Sequence, residues 1–570
     1  MRSLDTDILI LGAGGAGLFA ALHAHRADPS LRVTVAVKGL LGKCGCTRMV
    51  QGGYNVALAK EDSVERHFMD TIEGGKWLPD QELAWKLVTL AVERIRELEN
   101  ELGCFFDRNP DGTIHQKAFA GQTFDRTVHK GDLTGIEIIS RLAEQVWARN
   151  IQRLEEHRAV ELVRTPAGDA LAGVLMIDMR TGEYAMVRAK AVLLATGGGP
   201  TMYRYHTPSG DKSCDGLAMA LRAGLALRDM EMVQFHPTGL LAGPHTRMTG
   251  TVLEEGLRGA GGYLLNGAKK RFMPGYGPLA ERATRDFVSR AMYMEMRKGE
   301  VTPNGGLYIS MAHLGPEKVA RDFKGMVERC ADCGFDLAGG LVEVVPTAHY
   351  MMGGVEFEPD CSTALPGLFV AGEDAGGVHG ANRLGGNGVA NSTVFGAVAG
   401  DTMAAWVARE GALRAPDQAA LAAAVERCEP KTAGAHGALE PLRERLHEVM
   451  WEKVGIIRDA TRLRAALSEL DAIAAELAAS GIPDTDRAYN LTWHDWLNLR
   501  SLTEVSRVIA QAALAREDSR GAHFREDCPA TSALERSAYS SVRAGAGVSM
   551  KPVAFTRVKP GESLLTRGAS

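Results

Sequence analysis

The chain has 570 residues, 45% of them apolar and 24% charged, and 65 Lys+Arg against 70 Asp+Glu give a formal charge of −5. That is a globular composition: it excludes a disordered chain and offers no basic surplus for nucleic acid or an anionic membrane. Mean hydropathy is −0.10, and no apolar run approaches the ~18 residues of a membrane-spanning helix.

Glycine is in excess, about 11% against an average near ~7%, yet without a Gly-X-Y period and with only 22 prolines, so collagen is excluded. Nine scattered cysteines, with a lone Cys330-x-x-Cys333, fit free thiols in a reducing cytoplasm better than a metal site. The N-terminus runs straight into a strand rather than through a secretory signal.

In chain order, Asp7–Leu11 reads as a buried parallel strand. Gly12-Ala-Gly14-Gly15-Ala-Gly17 follows, then an Ala/Leu helix ending before Asp28-Pro29, then a strand over Arg32–Val37. This β-turn-α-β unit predicts a doubly wound sheet. Gly12 makes the turn, Gly14 and Gly15 let the backbone approach a pyrophosphate, and Gly17 packs helix on strand. A helix is expected over Leu83–Leu102. Two further strands, Ala189–Leu194 and Gly367–Ala371, end in glycine turns at Thr196-Gly197 and Gly372-Glu373.

The acid that usually meets the ribose of NAD at the end of the second strand is replaced by Lys38. That favours FAD, with Glu373 available to a ribose or ribityl hydroxyl. The pattern divides as 1–239 FAD-binding, 240–349 an inserted capping lobe, 350–415 FAD-binding again, 416–545 helical, and 546–570 a Gly/Ser/Lys-rich surface tail. The fold class is therefore α/β: a doubly wound, Rossmann-like FAD domain with a capping insert and a C-terminal helical domain.

Several motifs resemble the flavoprotein subunits of succinate dehydrogenase and fumarate reductase, a family that includes L-aspartate oxidase. They are Gln51-Gly52-Gly53, Asp215-Gly216, Gln234-Phe-His236-Pro-Thr-Gly239, Glu255-Gly-Leu-Arg258-Gly259, Arg285-Asp286, His349-Tyr-Met-Met-Gly-Gly354, Ala371-Gly-Glu373, Arg383-Leu-Gly-Gly-Asn387 and Ser519-Arg-Gly-Ala-His523. The resemblance spans roughly residues 5–540. It implies FAD-linked interconversion of a dicarboxylate and its alkene.

By this resemblance His236, His349 and Arg383 bind substrate carboxylates, Phe119 and Gln122 line the substrate, Arg285 donates the proton, and Glu255 with Arg258 relays it. Lys38, Thr47, Gln51, Gly52, Gly53, Thr196, Gly197, Asp215, Glu373, Arg383, Asn387, Gly388 and Val389 match cofactor-side positions. An iron–sulfur partner is implied, with room for a membrane anchor holding it to the cytoplasmic face of the inner membrane. The alternative is a stand-alone enzyme of the aspartate oxidase or soluble fumarate reductase kind, which the run Arg126, His129 and Asp132–Gly135 resembles.

Three positions depart from the family pattern. Cys46 stands where membrane-bound members attach FAD through a histidine, leaving non-covalent FAD or a cysteinyl thioether. Loss of the histidyl link favours alkene reduction. Glu254 replaces a threonine that holds a substrate carboxylate, so it is neutral, turned aside, or facing a hydroxyl or cationic group. Asn387-Gly388-Val389 replaces the usual Asn-Ser-Leu.

Overall fold

The computed structural model describes residues 1–243, 246–431 and 439–566. Residues 244–245 of the expected insert, 432–438 of the expected helical domain and 567–570 of the expected tail lie outside the described residues.

A seven-stranded sheet forms the base of the cofactor domain. Arg2–Leu11 lies parallel between Val33–Val37 and Glu183–Leu194, with Ile8 opposite Val33 on one side and Ala191 on the other. Gln152–Glu155 extends the first edge in parallel, and Leu368–Val370 pairs in parallel with the end of Glu183–Leu194. Two antiparallel strands, Leu171–Asp178 and His157–Arg164, complete the sheet. Its central residues Ile8, Leu9 and Ile10 are fully buried, as expected for strands covered on both faces.

Helix Gly15–Ala27 covers one face together with the long helix Asn387–Glu410. They touch backbone to backbone: a Cβ on Gly396 would stand 2.6 Å from Ala16 O, and one on Gly400 would stand 2.4 Å from Ala20 O. Glycines four residues apart permit this approach because they share one helix face.

The capping lobe is built on an antiparallel sheet ordered Val233–Leu240, Val342–Met351, Leu307–Ser310, Tyr263–Leu265. Its own core includes Leu253, Leu257, Met292 and Ile309. The two long strands run out of the cofactor domain and back into it, so they straddle the expected boundaries at 240 and 349.

The C-terminal helices are Leu439–Lys453, Ala460–Ala479 and Leu491–Ala515. Asp459 and Asn490 cap the last two by accepting from Arg462 N–H and Trp493 N–H. Among the described residues no helix is long and apolar enough to cross a membrane.

One expectation is corrected. Residue 546 does not begin a surface tail; it lies in the turn of a hairpin, Ala538–Arg543 with Gly547–Pro552. The hairpin joins Leu227–Arg228 and Gly354–Val355 in one sheet. Beyond it, Val558 is buried, and the Gln81 side chain accepts from Arg557 and Val558 N–H while donating to Val558 O. The small and polar residues there serve a tight turn and an edge strand, which composition alone reads as loop.

Candidate active site

A cleft of about 1930 Å³, counting its open mouth, runs from the first glycine turn to the floor of the capping lobe. Its far end is made by four segments. His236 comes from the strand Val233–Leu240, His349 from Val342–Met351, Arg285 from the start of helix Arg285–Arg297, and Arg383 from the loop before helix Asn387–Glu410.

Arg285 donates from Nε (3.0 Å) and Nη2 (2.6 Å) to Glu255 Oε2. Arg258 Nη2 donates to the other oxygen, Glu255 Oε1, at 3.2 Å. Glu255 thus links two guanidiniums. Burial raises its carboxyl, but Arg285 and Arg258 outweigh that and hold it below its ordinary value. Gln234 Oε1 accepts from both Arg285 Nη1 and Arg383 Nη2, each at 3.1 Å, and so fixes the spacing of the two arginines. Burial, and then Arg285, lowers Arg383 to about 10. Its guanidinium lies 4.4 Å from the centroid of the Tyr350 ring.

The two histidines face each other with ring centroids 5.4 Å apart. Burial and then the Arg285 charge push both well below the usual imidazole range, so they act as neutral groups at pH 7. His236 Nδ1 accepts from Thr238 N–H at 3.3 Å, which leaves its proton on Nε2.

The near end fits a dinucleotide. Helix Gly15–Ala27 starts without an N-cap side chain or an acid in its first turn; Gly15 N–H donates to Thr47 Oγ1 at 3.0 Å, and the next amides of the first turn face an anion. Gly12 has φ 112°, and a Cβ there would stand 2.1 Å from Ala195 O; one on Gly17 would stand 2.0 Å from Gly12 O. Backbone therefore closes around this end of the cleft.

Lys38 Nζ meets Asp215 Oδ2 at 3.1 Å, and Arg158 Nη2 meets Asp215 Oδ1 at 2.7 Å. Burial raises Asp215, but Arg158 and Lys38 hold it well below the carboxylate range. Burial pushes Glu373 up to about 7, and its Oε1 accepts from Met351 N–H at 2.8 Å. Burial also pushes the Cys46 thiol up to about 12, with Lys212 opposing.

Residues 7–389 match the model of an FAD binding domain, and residues 443–564 match that of the fumarate reductase flavoprotein C-terminus. The chain is 39% identical over 534 residues to one of the subunits of the fumarate reductase (CoM/CoB) of Methanothermobacter marburgensis, covering 92% of this chain and 95% of that one. It is 34% identical over 547 residues to the fumarate reductase flavoprotein subunit of Escherichia coli, covering 92% and 89%. This chain belongs to the fumarate reductase/succinate dehydrogenase flavoprotein family. A solved E. coli quinol fumarate reductase flavoprotein carrying one glutamate-to-glutamine mutation superposes on it with a TM-score of 0.91 at 32% identity over 99% of both chains. The protein is thus an FAD-dependent oxidoreductase acting on CH–CH groups.

In this flavoprotein the cleft lining brings together Gly12, Gly14, Gly15, Lys38, Cys46, Thr47, Gln51, Gly52, Gly53, Thr196, Gly197, Asp215, Glu373, Gly388 and Val389 with Phe119, His236, Glu254, Glu255, Arg285, His349 and Arg383. Gly17 and Arg258 stand behind that lining, in packing and relay positions. Two expected residues are turned elsewhere. The Asn387 side chain is taken up by Asn55, His67 and Thr71, and Gln122 donates to Asn55 and Gly385 O.

Arg126, from the run that resembles aspartate oxidase, is fully buried between Asp62 and Asp70 and holds the fold rather than the cleft. Sequence reasoning missed Gln234 as the arginine bridge, although it opens the Gln-Phe-His-Pro motif. It also missed Asp374, which accepts from Thr196 N–H, Thr196 Oγ1 and Gly197 N–H and so holds the second glycine turn.

Proposed function

We propose that this flavoprotein interconverts a dicarboxylate and its alkene, working chiefly in alkene reduction, and exchanges electrons with a separate iron–sulfur protein. The charge of the cleft carries this reading. Arg285, Arg258 and Arg383 contribute three positive charges and Glu255 one negative, while the histidines are neutral. Glu254 is cancelled by its ion pair with Lys117, and the resulting +2 matches a dianion.

Arg383 supports one carboxylate with its planar fork, and the His236 and His349 N–H groups support the other. Hydride exchange at flavin N5 is the chemistry FAD supplies when bound in this cleft. Arg285 has five N–H donors. Three of them are engaged with Glu255 and Gln234, leaving one hydrogen on each of Nη1 and Nη2 for the substrate. A proton given to the substrate carbon is replaced through Glu255 from Arg258.

The partner and the cytoplasmic location rest on kinship, since the relatives are named as subunits, and on nine free cysteines suited to a reducing compartment. The test is reduction of fumarate, and oxidation of succinate, by purified holoenzyme with a redox dye. Loss of both activities in Arg285→Ala, with flavin retained, is expected; undiminished turnover would overturn the assignment. An isolated monomer with full turnover on oxygen would overturn the partnered reading.

A further inference from the structure

Glu254 borders the substrate end of the cleft, where the family resemblance expects a neutral hydroxyl. An unpaired carboxylate there repels a dianion. The structure gives it a partner. Lys117 Nζ lies 3.2 Å from Glu254 Oε2 and also donates to Gly131 O at 3.4 Å. Lys117 ends the short strand Gln116–Lys117, which pairs antiparallel with Thr127–Val128, so backbone register fixes where its side chain starts, and the contacts to Glu254 and Gly131 O hold the ammonium.

The pair is well shielded, with side-chain exposures of 8% for Glu254 and 20% for Lys117; its charges are therefore felt more strongly than they would be in water. Lys117 Nζ is 5.8 Å from the centroid of the Phe119 ring. That ring packs over Gly52 and Gly385, beside the Glu255 carboxylate and the Arg285 guanidinium.

We infer that Glu254 and Lys117 act as one electroneutral unit that sets the charge of this end of the cleft, with Lys117 the positioning residue that lets a substrate carboxylate bind beside Glu254. The inference rests on the dicarboxylate reading above and adds to it how the site tolerates an acid where a hydroxyl is expected. Lys117 thereby selects a carboxylate over an ammonium at this position. Without it, a lone Glu254 complements an amino group instead.

The experiment uses the flavin-loaded full chain and measures steady-state fumarate reduction, together with flavin-perturbation titrations of succinate and L-aspartate. Three variants are compared: Lys117→Met, Glu254→Thr and the double variant. Lys117→Met is expected to raise KM for fumarate about tenfold, with the change falling on KM rather than kcat, and to tighten L-aspartate relative to succinate. Glu254→Thr is expected to lower KM, because it frees the Lys117 charge. The double variant is expected to return KM to near the unsubstituted value.

A merely structural pair would differ at the other two variants: Glu254→Thr would bind substrate less well, as Lys117→Met does, and the double would not recover. That result, or an unchanged KM in Lys117→Met, overturns the inference while leaving the dicarboxylate reading intact. An unsubstituted enzyme that neither turns over nor binds any dicarboxylate overturns both.

Discussion

Glu255→Gln removes the carboxylate shared by two buried guanidiniums while keeping the side chain's shape. Glu255 meets Arg285 at 2.6 Å and Arg258 at 3.2 Å, and its side chain is only 3% exposed. A unit pair near 4 Å is worth about 4 kcal/mol at an effective dielectric near 20, and breaking a buried pair costs roughly 3–5 kcal/mol. Gln cannot accept a proton from Arg258 and pass it on, so the general acid–base share of the rate, about 10²–10⁴-fold, is lost from kcat.

Binding responds in the other direction. The cleft charge rises from +2 to +3, so KM for a dicarboxylate stays level or falls. The assay is steady-state fumarate reduction with flavin content and melting temperature recorded alongside, and Glu255→Asp as a control that keeps the charge. A kcat within tenfold of the unsubstituted enzyme, or a raised KM with kcat unchanged, would refute the relay.

Three further outcomes follow from the cofactor end. A Cβ on Gly14 would meet no atom closer than Thr47 Oγ1 at 3.5 Å, so Gly14→Ala should fold with an unchanged apoprotein melting temperature; flavin titration should nonetheless show at least about tenfold weaker binding, because the methyl enters the pyrophosphate's space. Cys46 lines the cleft with its thiol pushed up to about 12 and so stays protonated near pH 7. Denaturation should release all flavin, and native Cys46→Ser protein should bind flavin as before; a flavin-fluorescent band on a denaturing gel would disprove this. Burial holds a proton on Glu373 up to about pH 7 in the native state against 4.5 for the free group. Native protein then binds more protons than unfolded protein between about pH 4.5 and 7, so apoprotein stability falls as pH rises through that window. Glu373→Gln should flatten this part of the curve, on the order of 1–2 °C in melting temperature, and parallel curves would exclude it.

The parts legible in the sequence are those with local periodicity or a local turn. The strand–glycine turn–helix at Asp7–Ala27 is written in apolar runs and φ-permissive residues, and the Glu255–Arg258 contact follows from three-residue spacing. Lys117 and Glu254 are 137 positions apart, and no local pattern announces their meeting. Motif places Gln122 and Asn387 at the site, yet the whole Asn387 amide and the Gln122 Nε2 group are taken up by buried polar neighbours, a demand that only tertiary packing creates. Arg126 stands in a run read only for its family likeness, and its burial between Asp62 and Asp70 shows only in the fold. The hairpin after Ser537 is hidden because an edge strand with exposed polar alternation looks like a tail.

The sheet that begins at Arg2 is finished only by Leu368–Val370, and its first helix is covered by Asn387–Glu410. At about 5–20 residues per second on the ribosome, the roughly 360 residues between Ala27 and Asn387 take roughly 20–70 s to appear. For that interval the phosphate turn exists without the helix that packs against it, and the small-residue face of Gly15–Ala27 stays bare. Such long-range closure makes folding slow. The last residue of the cleft lining, Ser392, lies in that same covering helix, so a complete FAD cleft exists only once Asn387–Glu410 has been made.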